Sequence, residues 1–145
     1  MTERLPEILR NILPALSCQT GTIHRTTADG KNLELVCHQG VPDFLLERIS
    51  HVPFGKGIAG AAAAGREPVE LCNLQQDLGG IAKPDARQTG VSGSIALPVI
   101  SEDGARVLGT LGVGMAAPHV FSDEEKEALC ACTREIAKCF ENAAP

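Results

Sequence analysis

Val52-Pro53-Phe54-Gly55-Lys56-Gly57-Ile58-Ala59-Gly60 runs directly into Ala61-Ala62-Ala63-Ala64-Gly65, and the reading of this stretch decides the fold. A glycine-rich turn opens a helix built almost wholly of tiny side chains, which Gly65 is placed to end and Pro68 keeps from resuming. A helix so slim can lie very close to a sheet. Gly55, Gly57 and Gly60 formally satisfy the G-x-G-x-x-G dinucleotide fingerprint, but no parallel βαβ pattern surrounds them and no acidic residue follows a next parallel strand at the needed distance. A Walker loop fails too, because Lys56 is followed by Gly57 and not by Ser or Thr. Two readings stay open. Backbone N–H groups around Gly57, Ile58, Ala59 and Gly60 form the positive end of a helix, a ready anion site if a cavity faces it; alternatively, the glycines serve a tight turn and close helix packing.

Outward from this stretch, the patterning supplies sheet and cover. Leu5, Ile8, Leu9, Ile12 and Leu16 fall at spacings of three and four and predict a helix over about residues 3–18, loosened by Pro14. Runs at 21–27 and 32–39 flank Ala28-Asp29-Gly30, a hairpin signal. In the second run Leu33, Leu35 and Cys37 are expected on one face. Residues 42–49 predict a short helix, 68–72 a brief strand, and 73–93 a long loop read as a lid, with a helical turn near 74–77. Runs at 94–100 and 106–115 form a second hairpin around Glu102-Asp103-Gly104. Leu108, Thr110, Gly112 and Gly114 make a small-residue face there, expected to receive the final helix closely. That helix opens on the capping box Ser122-Asp123-Glu124-Glu125. Its Leu129, Cys132, Ile136, Cys139 and Ala143 form a seam for the first helix or for another subunit. The sum is an α+β fold with an antiparallel sheet covered by helices.

Composition narrows function. The chain has 145 residues, a length that suits one domain, and a formal charge of −5 with scattered cations, so no basic stripe tracks a nucleic acid. The amino terminus lacks the pattern of a signal peptide and no apolar stretch suits a membrane span, so a cytoplasmic location is expected. The six cysteines are then expected as thiols. Cys130 and Cys132 lie on different helix faces, and the four histidines, His24, His38, His51 and His119, have no metal-ligand spacing. Each histidine reads as a surface or satisfied residue, and no metal or other cofactor is expected. With no Trp or Tyr and four Phe, stacking platforms are scarce and a small ligand suits the chain better.

The ordered set of residues 52–60, Glu67-Pro68-Val69, Asn73, Ser94-Ile95-Ala96-Leu97-Pro98-Val99, Leu108-Gly109-Thr110-Leu111-Gly112-Val113 and His119-Val120-Phe121-Ser122-Asp123-Glu124-Glu125 resembles the GAF family over about residues 20–140. The resemblance implies a central antiparallel sheet of five or six strands. Short helices and a long loop would cover its pocket side, and the N- and C-terminal helices the other. It divides one domain into an N-terminal helix (1–19), a core (20–121) and a C-terminal helix (122–145).

The stretch Phe54 to Gly60 and the tract Gly80-Ile81-Ala82 look most like the free methionine-(R)-sulfoxide reductases. Those enzymes carry cysteines where this chain has Ala59 and Lys83, and their upstream cysteine falls near Ile49. A thiol reaction would therefore need relocated thiols, Cys37 or Cys72. The constellation of cyclic-nucleotide GAF domains is missing. Single-domain nitrate sensors of the family, which hold an anion at the helix start, match at Ile58 and Ala59. The reading is a regulatory sensor of a small polar or anionic metabolite, with Cys37, Ile58, Ala59, Cys72, Lys83 and Ser94 as ligand-binding candidates. A homodimer through the terminal helices and a histidine kinase or other regulator are its expected partners. The alternatives are a thiol enzyme and a dimeric module without ligand.

Overall fold

Apolar residues spaced by three and four wind Arg4–Ala15 into helix α1, which buries Leu5, Ile8, Leu9, Ile12 and Leu13. Pro14 sits in the last turn; beyond it Ser17 takes a φ of 57° and the Cys18 N–H donates back to the Leu13 carbonyl at 2.8 Å. The computed structural model describes residues 4–71, 93–117 and 119–143. The loop expected as a lid, up to residue 92, and its helical turn near 74–77 lie outside them.

Two hairpins carry the centre of the sheet, and their turns use the same chemistry. Thr27-Ala28-Asp29-Gly30 joins β1 (Thr20–Thr26) to β2 (Asn32–Gln39), and Ser101-Glu102-Asp103-Gly104 joins β5 (Gly93–Ile100) to β6 (Val107–Met115). In each turn the glycine takes a positive φ, 71° at Gly30 and 75° at Gly104. Its N–H donates to the carbonyl three residues back, while the aspartate accepts the N–H two residues on, from Lys31 or Ala105, at 3.0 Å. Between the hairpins lie α2 (Asp43–Ile49), a three-residue strand β3 (His51–Pro53), α3 (Gly57–Gly65) and β4 (Val69–Leu71). The sequence pattern alone does not separate β3 from the turn that follows it. The chain closes with α4 (Asp123–Ala143), whose first turn is the expected capping box: the Glu125 N–H donates to Ser122 Oγ at 3.1 Å and the Ser122 N–H to Glu125 Oε1 at 2.8 Å.

The six strands pair antiparallel in the order β3-β2-β1-β6-β5-β4. On one face α1 and α4 bury the main core, where Ile23, Ile95, Leu97, Val99, Leu111 and Val113 meet Leu9, Leu13, Leu129, Ile136 and Phe140. On the other face α3 lies on the sheet, and Leu33, Val52 and Ala63 form a smaller core joined by Phe54, Ala59 and Val107. This is the α+β arrangement expected.

Two facing assignments are corrected. A β-bulge between Ile23 and His24 pairs Ile23 with Cys37 but His24 with Leu35, so Val36 is the extra residue. The bulge turns Cys37 away from Leu33, and Cys37 packs on the main core under α1. The final helix is likewise not on the small face of β6. It covers Leu111 and Val113, and Phe140 Cε2 lies 3.0 Å from where a Gly109 Cβ would be, so Thr110 and Gly112 face the α3 side. The pleat fixes this once one residue's face is known.

The stripe on α4 is consumed inside the protomer. Leu129 and Ile136 are fully buried in the main core, and Cys132 and Cys139 pack against it. Arg4 of α1 donates to Glu135 Oε2 at 2.5 Å, tying the two helices.

Candidate functional site

The fold-deciding glycines serve close approach. Gly55 and Gly57 take positive φ values of 88° and 65°. A Cβ on Gly60 would stand 2.5 Å from the Pro53 carbonyl oxygen, and the Gly55 N–H donates to the Gly60 carbonyl at 2.8 Å. The chain therefore folds under its own helix start, and Ala62 and Ala63 press onto the sheet with almost no exposure. Lys56 caps α3 with no side-chain hydrogen bond.

Under this cover the sheet face is polar where a core would be apolar. His24 on β1 and Thr110 on β6 are cross-strand partners and are 3% and 1% exposed. His24 Nε2 lies 2.8 Å from the Ile49 carbonyl at the end of α2, which makes it the donor and leaves Nδ1 as a bare acceptor. His24 Nδ1 and Thr110 Oγ1 are buried without a hydrogen-bond partner among the described residues, as is Thr26 Oγ1 further along β1. Burial pushes the His24 imidazole below its ordinary pKa, and its bond to Ile49 opposes that shift. One row away, a Cβ on Gly112 would meet Thr22 Oγ1 at 3.0 Å and little else. An acceptor, a donor and a patch with no side chain thus stand together on strands β1 and β6.

Of the expected ligand residues, the structure brings three to this side. Ile58 and Ala59 occupy the first turn of α3, half-buried, with Ala59 packed against the small core. Ser94 is buried on β5 on the same face, its Oγ donating to the Val113 carbonyl at 3.3 Å. Cys37 is on the opposite face, and Cys72 and Lys83 lie outside the described residues. His24 and Thr110 were missed as site residues. The small face of β6 was visible in the sequence, but it was assigned to the wrong helix. The bulge that pairs His24 with Leu35 has no sequence signal.

Three of the described thiols are poorly set for nucleophilic work. Burial pushes Cys18 up to about 11 and raises Cys37 and Cys132, so little thiolate forms near neutral pH. Among the described residues no group of three or more His, Cys, Asp or Glu could hold a metal ion, and no helix is long and apolar enough to cross a membrane.

A family model for the GAF domain matches residues 1–140. No curated protein matches this sequence. Several solved structures share the architecture. The GAF domain of a phosphoenolpyruvate-protein phosphotransferase from Coxiella burnetii is similar at a TM-score of 0.81 and 19% identity, covering 98% of this chain and 83% of that one. A free methionine-R-sulfoxide reductase from Neisseria meningitidis, solved with its substrate, gives 0.79 at 18% identity, covering 97% and 77%. A domain assigned to a two-component sensor histidine kinase of Sinorhizobium meliloti gives 0.73 at 18% identity, covering 97% and 90%. At these identities the likeness establishes the fold.

Proposed function

The chain belongs to the GAF domain family, and from that premise we propose that it is a sensory module binding a small polar metabolite on the α3 face of its sheet. One observation carries this reading: on cross-strand neighbours, His24 Nδ1 and Thr110 Oγ1 are buried without partners among the described residues. A buried polar group left unpaired costs about 1–3 kcal/mol, so a fold that keeps two together holds a standing preference for a molecule that completes them. The bare nitrogen accepts, and the hydroxyl donates. The matching ligand carries an N–H or O–H beside a carbonyl or carboxylate oxygen, as amino-acid derivatives and hydroxy acids do. The unsatisfied N–H groups that open α3 favour an anionic group at its other end.

Signal output follows from the layering. Thr110 adjoins Leu111, whose side chain enters the core beneath α1 and α4, so a ligand on one face is one strand's thickness from the terminal helices. Those helices would pass the change to a regulator such as a histidine kinase. A homodimer through them rests on the family likeness alone, because the α4 stripe is used within the protomer. The thiol-enzyme alternative draws less support: burial disfavours the thiolate of Cys37, and Cys37 lies across the sheet from His24.

A thermal-shift screen of small carboxylates, hydroxy acids and amino-acid derivatives tests the proposal. A ligand at about 100 times its Kd adds about 2.7 kcal/mol. The expected result is a saturable rise in Tm that Thr110→Val and His24→Gln both remove. If no compound raises Tm, or if the rise survives both variants, the proposal fails.

A further inference from the structure

A cleft opens at the turn end of the sheet, where β1 and β6 part. Their pairing runs out at Arg25 and Gly109, and beyond it the first Asp-Gly turn and the residues that follow the second line a cleft of about 690 Å³. Three arginines line it: Arg25, Arg66 and Arg106. Phe54 and Phe140 contribute aromatic surface to its walls, and Thr26, whose Oγ1 is buried without a partner among the described residues, lines it too. In a chain with a formal charge of −5, this is a local concentration of positive charge.

Two of the arginines are held by named partners, and Arg106 lies close enough to Asp103 to help hold that carboxyl below its ordinary range. Arg66 follows α3 in the left-handed region, at a φ of 57°, and its N–H donates to the Ala62 carbonyl at 2.9 Å, which closes the helix. Its guanidinium donates to the Ala105 carbonyl at 2.9 Å and the Gly104 carbonyl at 3.4 Å, which leaves further N–H groups to face the cleft. The Arg25 guanidinium lies 5.5 Å from the centre of the Phe140 ring. Neither Arg25 nor Arg106 forms an ion pair among the described residues. The one carboxylate lining the cleft, Glu141, already accepts the Glu102 N–H at 2.9 Å through Oε1.

We infer that this cleft is a second binding site, distinct from the His24–Thr110 face, for a small molecule carrying at least two negative charges. Guanidinium forks match phosphate and carboxylate oxygens, and the volume falls within the range of small-ligand pockets. A ligand there would bridge the turn of the first hairpin to that of the second and to the end of α3.

Pyrophosphate titrated at low ionic strength into ¹⁵N-labelled protein tests the inference. The expected result is saturable amide shifts centred on residues 26–30 and 104–108, with affinity falling as salt rises. Arg25→Gln with Arg106→Gln weakens binding at least tenfold, and Arg134→Gln, an exposed cation on α4, leaves it unchanged. Thr110→Val also leaves it unchanged, which separates this site from the one proposed above. Absence of saturable shifts, shifts centred on the first turn of α3, or equal loss with Arg134→Gln overturns it. Tighter binding of a hexaglutamate peptide than of pyrophosphate overturns the assignment to a small molecule. The wild-type shift map alone decides if the double variant does not fold.

Discussion

Replacing Thr110 with Val should stabilise the free protein. Thr110 is 1% exposed in the middle of the sheet, and its hydroxyl has no partner among the described residues. Val keeps the β-branched shape and nearly the same volume, so packing and strand preference change little. The hydroxyl's burial cost, about 1–3 kcal/mol, is then removed with no bond lost in return. A net gain of about 1–2 kcal/mol follows, or roughly 3–6 °C in Tm for a domain of this size. Urea unfolding followed by circular dichroism measures it. Thr133→Val is the control, because Thr133 Oγ1 donates to the Cys130 carbonyl at 2.7 Å and its loss yields no such gain. A Thr110→Val protein destabilised by more than about 1 kcal/mol would mean that the hydroxyl makes a bond in the free protein. The polar face would then already be complete in the free protein.

Three further outcomes are expected. Gly60→Ala places a Cβ 2.5 Å from the Pro53 carbonyl oxygen; overpacking of this kind costs about 1–3 kcal/mol, read as a lower urea midpoint. Ser122→Ala removes the cap of α4, costs about 1 kcal/mol, and should be partly restored by Ser122→Asp in the same unfolding assay. Because burial lowers the pKa of His24 in the folded state, the unfolded chain takes up that proton first. The contribution is therefore complete above about pH 6.5 and declines as pH falls through the folded value. Urea midpoints between pH 7.5 and pH 5 should fall more steeply for the wild type than for His24→Gln, and parallel profiles would contradict the assignment.

Much of the fold was legible because its signals are local. The Asp-Gly turns, the capping box from Ser122 to Glu125 and the spacing of Leu5 to Ile12 each act within a few residues, and each appears where expected. The small alanine helix was legible for the same reason. Facing was harder. Alternation predicts that Leu33 and Cys37 share a face, but one bulged residue, Val36, reverses it, and a bulge depends on pairing with β1 rather than on its own strand. The small face of β6 showed that something approaches closely without showing which element does so. His24 looks like any dispersed histidine, because its surroundings come from β6 and α2, which meet it from distant parts of the chain.

The imidazole nitrogens of His24 report most directly on whether this face binds a ligand. In ¹⁵N-histidine-labelled protein, the compound giving the largest rise in Tm should shift the Nδ1 resonance of His24 as that nitrogen gains a donor, while Nε2, bonded to the Ile49 carbonyl, changes little. A stabilising compound that leaves Nδ1 unmoved would place the ligand elsewhere and contradict the account.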